Sequence, residues 1–243
     1  MDWFFTSAEA RPGSTLVITG EDAAHITKSL RMSVGEVITM CSPEGAEMLC
    51  RIERITAEGV FVQVVTKEQC CHEPTVGVTL YFALTKGDKP ETVIQKSVEL
   101  GAVKIVPVLT RRCVSRPDGK SMDKKLARYR KIALQAAMQS RRGIIPEIGD
   151  MKDLKNAAAE LSGYDKAVVF YEGGGKPLRE IITGIDKTVA VFIGPEGGFD
   201  EEEISLLTQN GAVCATLGKR ILRAETAPLA ALAAIMFHTG NLE

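Results

Sequence analysis

Two short glycine-bearing segments near the C-terminal end hold the residues best suited to chemistry. The first is Ile193-Gly194-Pro195-Glu196-Gly197-Gly198, which follows an apolar run beginning at Val189. The second is Leu217-Gly218-Lys219-Arg220-Ile221-Leu222-Arg223-Ala224-Glu225-Thr226-Ala227, which follows an apolar run beginning at Ala212. Each reads as strand, tight loop, helix. Glycine lets backbone N–H and C=O groups approach a ligand with no Cβ in the way. Ligands of open α/β sheets sit just beyond the carboxyl ends of the strands, so two such loops on neighbouring strands make one pocket. Arg220, Arg223 and Glu225 cluster in the second loop, and Arg223, flanked by Leu222 and Ala224, suits an anion. The plainer alternative is a helix-capping turn with surface charge, Thr226 being the cap. Glu196 either orients its loop, touches a ligand or is a turn residue in solvent.

Other arrangements offer less. Asp200-Glu201-Glu202-Glu203 reads as a helix start, with Asp200 as cap, Glu203 closing a capping box and acids complementing the helix dipole. Gly173-Gly-Gly-Lys-Pro lacks the spacing and the hydroxyl of a phosphate loop. No G-x-G-x-x-G follows the first strand of the α/β part, which disfavours a dinucleotide dehydrogenase. His25 and His238 lie on helix-like segments and read as structural or surface histidines. No Ser-His-Asp or Cys-His arrangement stands out. Cys70-Cys71-His72 invites a metal, but adjacent side chains diverge in extended chain and no second ligand cluster follows, so no metal is expected.

The elements that must position these loops fall into two textures. Up to about residue 75, four strand-like runs start at Thr15, Glu36, Ala46 and Val60, separated by turn residues and interrupted by a helix near 21–30, which suggests a compact barrel. Cys70 to Gly77 reads as a linker. From Val78 strands and helices alternate: strands at 78–84, 103–109, 167–171 and before each glycine loop; helices at 90–100, 122–141 and 228–238. This predicts α/β architecture with a largely parallel sheet.

The chain has 243 residues, 45% hydrophobic and 25% charged, which suits one large domain or two modest ones. Its net charge of −1 hides an asymmetry: residues 86–142 hold 15 Lys and Arg against 5 Asp and Glu, a balance of +10, leaving −11 elsewhere. A basic stretch in a neutral chain suggests a polyanion-facing surface, or else a solvated charged helix face. The six cysteines show no C-x-x-C spacing, and neither a signal peptide nor a membrane span is legible, so reduced thiols in the cytoplasm are expected.

Taken together these residues resemble the RsmE family of 16S ribosomal RNA uridine-N3 methyltransferases, of the SPOUT superfamily. The resemblance runs along nearly the whole chain. It rests on His25-Ile-Thr-Lys28-Ser-Leu-Arg31 with Gly35, on Lys86-Gly-Asp, on Gln95-Lys96-Ser-Val-Glu99-Leu-Gly101 and Ile105-Val-Pro107, on Gln139-Ser140 with Arg142 and Pro146, and on both glycine loops. Departures are Trp3 before the paired phenylalanines, Met138 where Glu is usual, Arg141 where Gly is common and Ala224 where Thr is common.

The resemblance implies a PUA-like RNA-binding β-barrel over 1–73 and a SPOUT α/β domain over 74–243 with a C-terminal trefoil knot, in an obligate homodimer. It implies S-adenosylmethionine held by Leu84, Thr85, Ile193, Gly194, Pro195, Glu196, Gly197, Gly198, Leu217, Gly218, Ile221, Leu222, Arg223, Thr226 and Ala227. It implies RNA contacts from His25, Lys28, Arg31, Lys86, Arg111, Arg112, Arg141 and Arg142. Arg223 is then the candidate to stabilise a uridine anion, and Glu225 the candidate base. The alternatives are a SPOUT enzyme with another target, such as a ribose 2′-hydroxyl, and a non-catalytic ribosome-assembly factor.

Overall fold

The computed structural model of the protein describes residues 2–242. Its contacts divide the chain into two compact units. One comprises residues 1–73 together with Ala137–Ile144; the other comprises Pro74–Ala136 and Ile145–Glu243. The first break in the chain falls between Glu73 and Pro74. The segment 137–144, placed by sequence in the second domain, packs with the first unit instead.

The first unit is built on β1 (Trp3–Phe5), β2 (Thr15–Ile18), β3 (Val37–Cys41), β4 (Ala46–Thr56) and β5 (Gly59–Gln69), in sheet order β1-β3-β4-β5-β2. All pairings are antiparallel except β1 with β3. β4 shows why the pattern reads as strand: Ala46, Met48, Cys50 and Ile52 alternate inward with period two. The β4–β5 hairpin turns at Gly59, with φ +149° and an ideal Cβ that would lie 2.4 Å from the Ile18 carbonyl oxygen. Only glycine permits that close approach. β1 has no turn signal before it and was not legible as a strand.

The helix expected near 21–30 is two pieces, α1 (Gly20–Ala24) and a π-helical turn His25–Ser29, where the Leu30 N–H donates to the His25 carbonyl. Such wide turns insert one residue into the helical repeat. Hydrophobic periodicity cannot show this.

The second unit carries an eight-stranded parallel sheet. Its strands are β6 (Gly77–Ala83), β7 (Ala102–Leu109), β8 (Glu147–Ile148), β9 (Lys152–Asp153), β10 (Lys166–Phe170), β11 (Lys176–Pro177), β12 (Thr188–Ile193) and β13 (Val213–Thr216). The order is β11-β13-β10-β12-β6-β7-β8, with β9 also on β7. β6 and β12 sit in the middle and are buried almost throughout, which is why they read as unbroken apolar runs. The helices are α2 (Lys89–Glu99), α3 (Gly119–Gln139), α4 (Leu154–Ala159), α5 (Glu201–Gln209) and α6 (Ala227–His238). α3 buries Met122, Leu126, Tyr129, Ala133 and Ala136 at helical spacing.

The start of α5 is as expected: Asp200 accepts from the Glu203 N–H, and the Glu203 carboxylate accepts from the Asp200 N–H. Thr226 does occupy the cap position of α6. However, its side chain makes no capping bond, and its φ of −88° and ψ of −36° are helical rather than extended.

Candidate active site

β10 lies between β12 and β13, so the chain crosses from β12 through α5 to β13 over an intervening strand. The carboxyl ends of β10, β12 and β13 therefore open on one crevice. A pocket of about 490 Å³ lies there. It is lined by Ile193, Gly194, Pro195, Glu196 and Gly198 of the first loop, and by Leu217, Gly218, Ile221, Leu222, Arg223, Glu225 and Ala227 of the second. Leu84, Thr85, Gly197 and Thr226 are not among its lining. Leu84 and Thr85 are buried just past β6, and the Thr85 hydroxyl has no hydrogen-bond partner among the described residues.

The first loop is a tight turn closed by the Gly198 N–H donating to the Pro195 carbonyl at 2.9 Å. Gly198 has φ +67°, and a Cβ there would meet the Glu172 carboxylate at 2.7 Å. A Cβ on Gly194 would lie 3.2 Å from both the ring and the backbone nitrogen of Phe199. The second loop is shaped differently. The Gly218 N–H donates to Thr216 Oγ1, which in turn donates to the Gly218 carbonyl, and Gly218 has φ +98°. Space around it is open, so conformation, not crowding, calls for glycine there.

Lys89, in the first turn of α2, joins the two loops. Its Nζ donates to Glu196 Oε1 at 3.2 Å and stands 3.3 Å from Glu225 Oε2 in an ion pair. That Glu225 oxygen is buried and makes no well-directed hydrogen bond. Lys89 is held above its ordinary pKa chiefly by the Glu196 hydrogen bond, with Glu225 adding to it and desolvation opposing. Burial alone would raise the Glu196 carboxyl. Hydrogen bonds from its own backbone N–H, from Lys89 and from the Lys86 N–H outweigh that and hold it below the usual range. Sequence reasoning missed Lys89, Phe170, Tyr171, Glu172 and Phe199. The signal for three of them was available: Phe170-Tyr171-Glu172 end a strand, as the glycine loops do.

Arg223 is exposed, and its side chain has no ion pair or hydrogen bond among the described residues. Its backbone is occupied, since its carbonyl accepts the N–H groups of Thr226 and Ala227, each at 2.9 Å. The loop is thus braced while the guanidinium stays free at the pocket.

The expected polyanion-binding residues divide. His25, Lys28, Arg31, Lys86 and Arg141 are exposed. Arg31 and Arg141 have φ of +55° and +57°, a left-handed backbone that explains why glycine also suits position 141. Arg111 pairs with Asp200 and Glu202, and Arg112 donates to the Gly197 carbonyl at 2.7 Å, bracing the first loop. Arg142 does not fit its expected role. Its side chain is 4% exposed and fork-bonded to the Glu73 carboxylate. Lys96, Lys104, Arg128 and Arg130 also meet carboxylates, so much of the +10 balance is met internally.

Known proteins resemble this chain along most of its length. Residues 72–236 match the family model for an RNA methyltransferase domain, and residues 18–65 match an RNA methyltransferase PUA domain. Ribosomal RNA small subunit methyltransferase E of Bacillus subtilis is 36% identical over 96% of this chain and 94% of its own length. The protein of the same name from Mycobacterium tuberculosis is 28% identical over 96% of this chain and 90% of its own. Among solved structures, a Legionella pneumophila methyltransferase in complex with the bound cofactor SAM superposes with a TM-score of 0.88 at 32% identity, covering 97% of this chain and 96% of that one. Ribosomal RNA small subunit methyltransferase E from Neisseria gonorrhoeae, bound to S-adenosyl methionine, gives 0.89 at 28% identity, covering 98% and 97%. The match of residues 72–236 to the RNA methyltransferase domain and of residues 18–65 to the RNA methyltransferase PUA domain, with 36% identity to the Bacillus subtilis protein over 96% of the chain, places the chain in the ribosomal RNA small subunit methyltransferase E family.

Proposed function

We propose that this protein uses S-adenosylmethionine to methylate N3 of a uridine in 16S ribosomal RNA. The observation that carries the reading is the pocket between the two glycine loops, with an unpaired guanidinium at Arg223. The pocket suits the cofactor in size and chemistry. Its volume falls within the range of roughly 300–1,000 Å³ usual for such sites. It offers backbone donors and acceptors from both loops, and Glu196, Glu225 and Glu172 as partners for a cationic ligand. Bound S-adenosylmethionine supplies an electrophilic methyl group.

The chain's own residues do the rest. The glycine loops fix the ligand's position, and methyl transfer gains from positioning because attack must be in line. Uridine N3 must lose its proton, and the negative charge that grows spreads to the flanking carbonyl oxygens. Arg223 donates to that charge. Glu225, ion-paired with Lys89 in the lining of the pocket, is the candidate to receive the proton. N3 lies on the pairing edge, so the uridine must be unpaired or flipped out. His25, Lys28, Arg31, Lys86 and Arg141 hold the surrounding RNA, mainly through phosphates. Barrel closure in the first unit, a trefoil knot at the C-terminal end and a cytoplasmic site of action belong to the same reading. Among the described residues no helix is long and apolar enough to cross a membrane.

Homodimerisation is part of this proposal. α6 is apolar on every side, and its Phe237 is 66% exposed. A helix without a polar face calls for cover on both sides. Phe237→Glu is expected to shift the protein from dimer to monomer in analytical ultracentrifugation, and an unchanged mass would place the interface elsewhere.

Cofactor affinity should depend on Gly194. A valine there must displace Phe199 or open the turn, and a loss of at least about tenfold in S-adenosylmethionine affinity is expected, about 1.4 kcal/mol. Calorimetry on folded Gly194→Val checks this, and wild-type affinity would move the pocket. The function itself is tested by mass-spectrometric mapping of 16S RNA incubated with the protein and the cofactor. A new N3-methyluridine supports it, whereas a 2′-O-methyl or no product overturns it.

A further inference from the structure

Within the first unit, three side chains of metal-ligand type converge away from the pocket. Glu47, Cys70 and His72 each present a ligand atom within 4.8 Å of the other two. Glu47 comes from β4, while Cys70 and His72 come from the chain just past β5. Along the sequence alone, Cys70 and His72 lack any second ligand cluster. The sheet removes that lack by bringing Glu47 alongside. Cys71, the neighbour expected to diverge, does so: it is exposed and outside the cluster.

We propose that Glu47, Cys70 and His72 form a binding site for Zn2+ or a similar borderline-soft divalent cation. Thiolate, imidazole and carboxylate are the donor set such ions take, with water completing four-coordination. Ligand atoms around a tetrahedral zinc stand roughly 3.3–3.6 Å apart, from bond lengths of about 2.0–2.3 Å. Here Cys70 Sγ and His72 Nδ1 are 3.4 Å apart, and His72 Nδ1 is 4.0 Å from Glu47 Oε2. A small rotation of the half-exposed Glu47 closes the remainder. The Glu47 and His72 side chains are 32% and 40% exposed, which gives an ion access and leaves room for a water ligand.

The surroundings favour a cation. Glu47 stands directly across from Glu68 on β5, a like-charged pairing that a bound cation would relieve. Among the described residues no Lys or Arg pairs with Glu47. The Trp3 ring packs edge-on to the His72 imidazole with centroids 5.5 Å apart, and Gly143 lies so close to Cys70 that a Cβ would meet Sγ at 2.7 Å. Both ligands are thus held from behind. The bound ion would tie β4 to the stretch that leads into Glu73.

The test uses the full chain, reduced and stripped with a chelator, titrated with Co2+ and then Zn2+. One equivalent of Co2+ per chain should bind, with a thiolate-to-cobalt charge-transfer band in the near ultraviolet, and Zn2+ should displace it. His72→Ala and Glu47→Gln, both at half-exposed positions, should each weaken Co2+ binding at least tenfold. Cys70→Ser should remove the band, and Cys71→Ser should leave band and affinity unchanged. Absence of saturable binding would overturn the site and leave only a thiol–imidazole–carboxylate hydrogen-bond cluster. Unchanged affinity in His72→Ala, or loss of the band in Cys71→Ser, would overturn it equally.

Discussion

Replacing Arg223 by alanine is expected to lower single-turnover methyl transfer by roughly a hundredfold to a thousandfold, the usual cost of removing one preorganised donor from developing charge, about 2.7–4 kcal/mol. Cofactor and RNA affinities should stay near wild type. The guanidinium has the wrong sign to attract a sulfonium, and it makes no contact that holds the loop, since the bracing runs through its backbone carbonyl. An interaction that strengthens only as N3 loses its proton appears in turnover and not in ground-state binding. Arg223→Lys should recover part of the rate, because an ammonium lacks the planar fork. Normal turnover in Arg223→Ala, measured with saturating RNA and cofactor, would return the search to Glu225.

The second large effect is on stability. Arg142→Ala should destabilise the first unit by about 3–5 kcal/mol, the range for breaking a buried ion pair by removing one partner. Arg142 Nη2 and Nε lie 2.6 and 2.9 Å from the Glu73 carboxylate, and Glu73 Oε1 also accepts the Gly143 N–H at 2.8 Å. Alanine strands a carboxylate that is only 20% exposed. Urea unfolding gives the magnitude. The double variant with Glu73→Ala should lose less than the sum of the two single losses, because the pair acts as one unit. A loss under about 1 kcal/mol, joined to weaker RNA binding and a shallower salt dependence, would restore Arg142 to the RNA surface.

Arg142 also shows where the sequence stops being legible. Its basic neighbourhood is visible as local charge, and charge counting treats every cation as free. Pairing with Glu73, or of Arg111 with Asp200, depends on chain segments brought together from afar. The loops were legible because their chemistry is local: glycine, strand and capping box are neighbours in the chain. The parallel strands were legible because burial on both faces writes continuous apolar runs such as Val189 to Ile193. β8, β9 and β11 were not, since each is two residues long and is defined only by its partner. Lys89 was missed for a similar reason. It lies in a helix first turn with ordinary composition, and only the fold sets it between two carboxylates.

The placement of residues 137–144 in the first unit bears on how the chain folds during synthesis. The Trp3 indole donates to the Arg142 carbonyl across 139 positions of sequence. The N-terminal unit therefore cannot finish packing when its own strands have emerged; it must wait until α3 has been made. Closing so long a loop is entropically slow compared with pairing a hairpin, and contacts of this range lower folding rates. The β4–β5 hairpin should thus gain protection from hydrogen exchange early in refolding, whereas the Trp3 indole N–H should be among the last groups protected. A nascent chain arrested before residue 137 should hold the sheet in an open, protease-sensitive form.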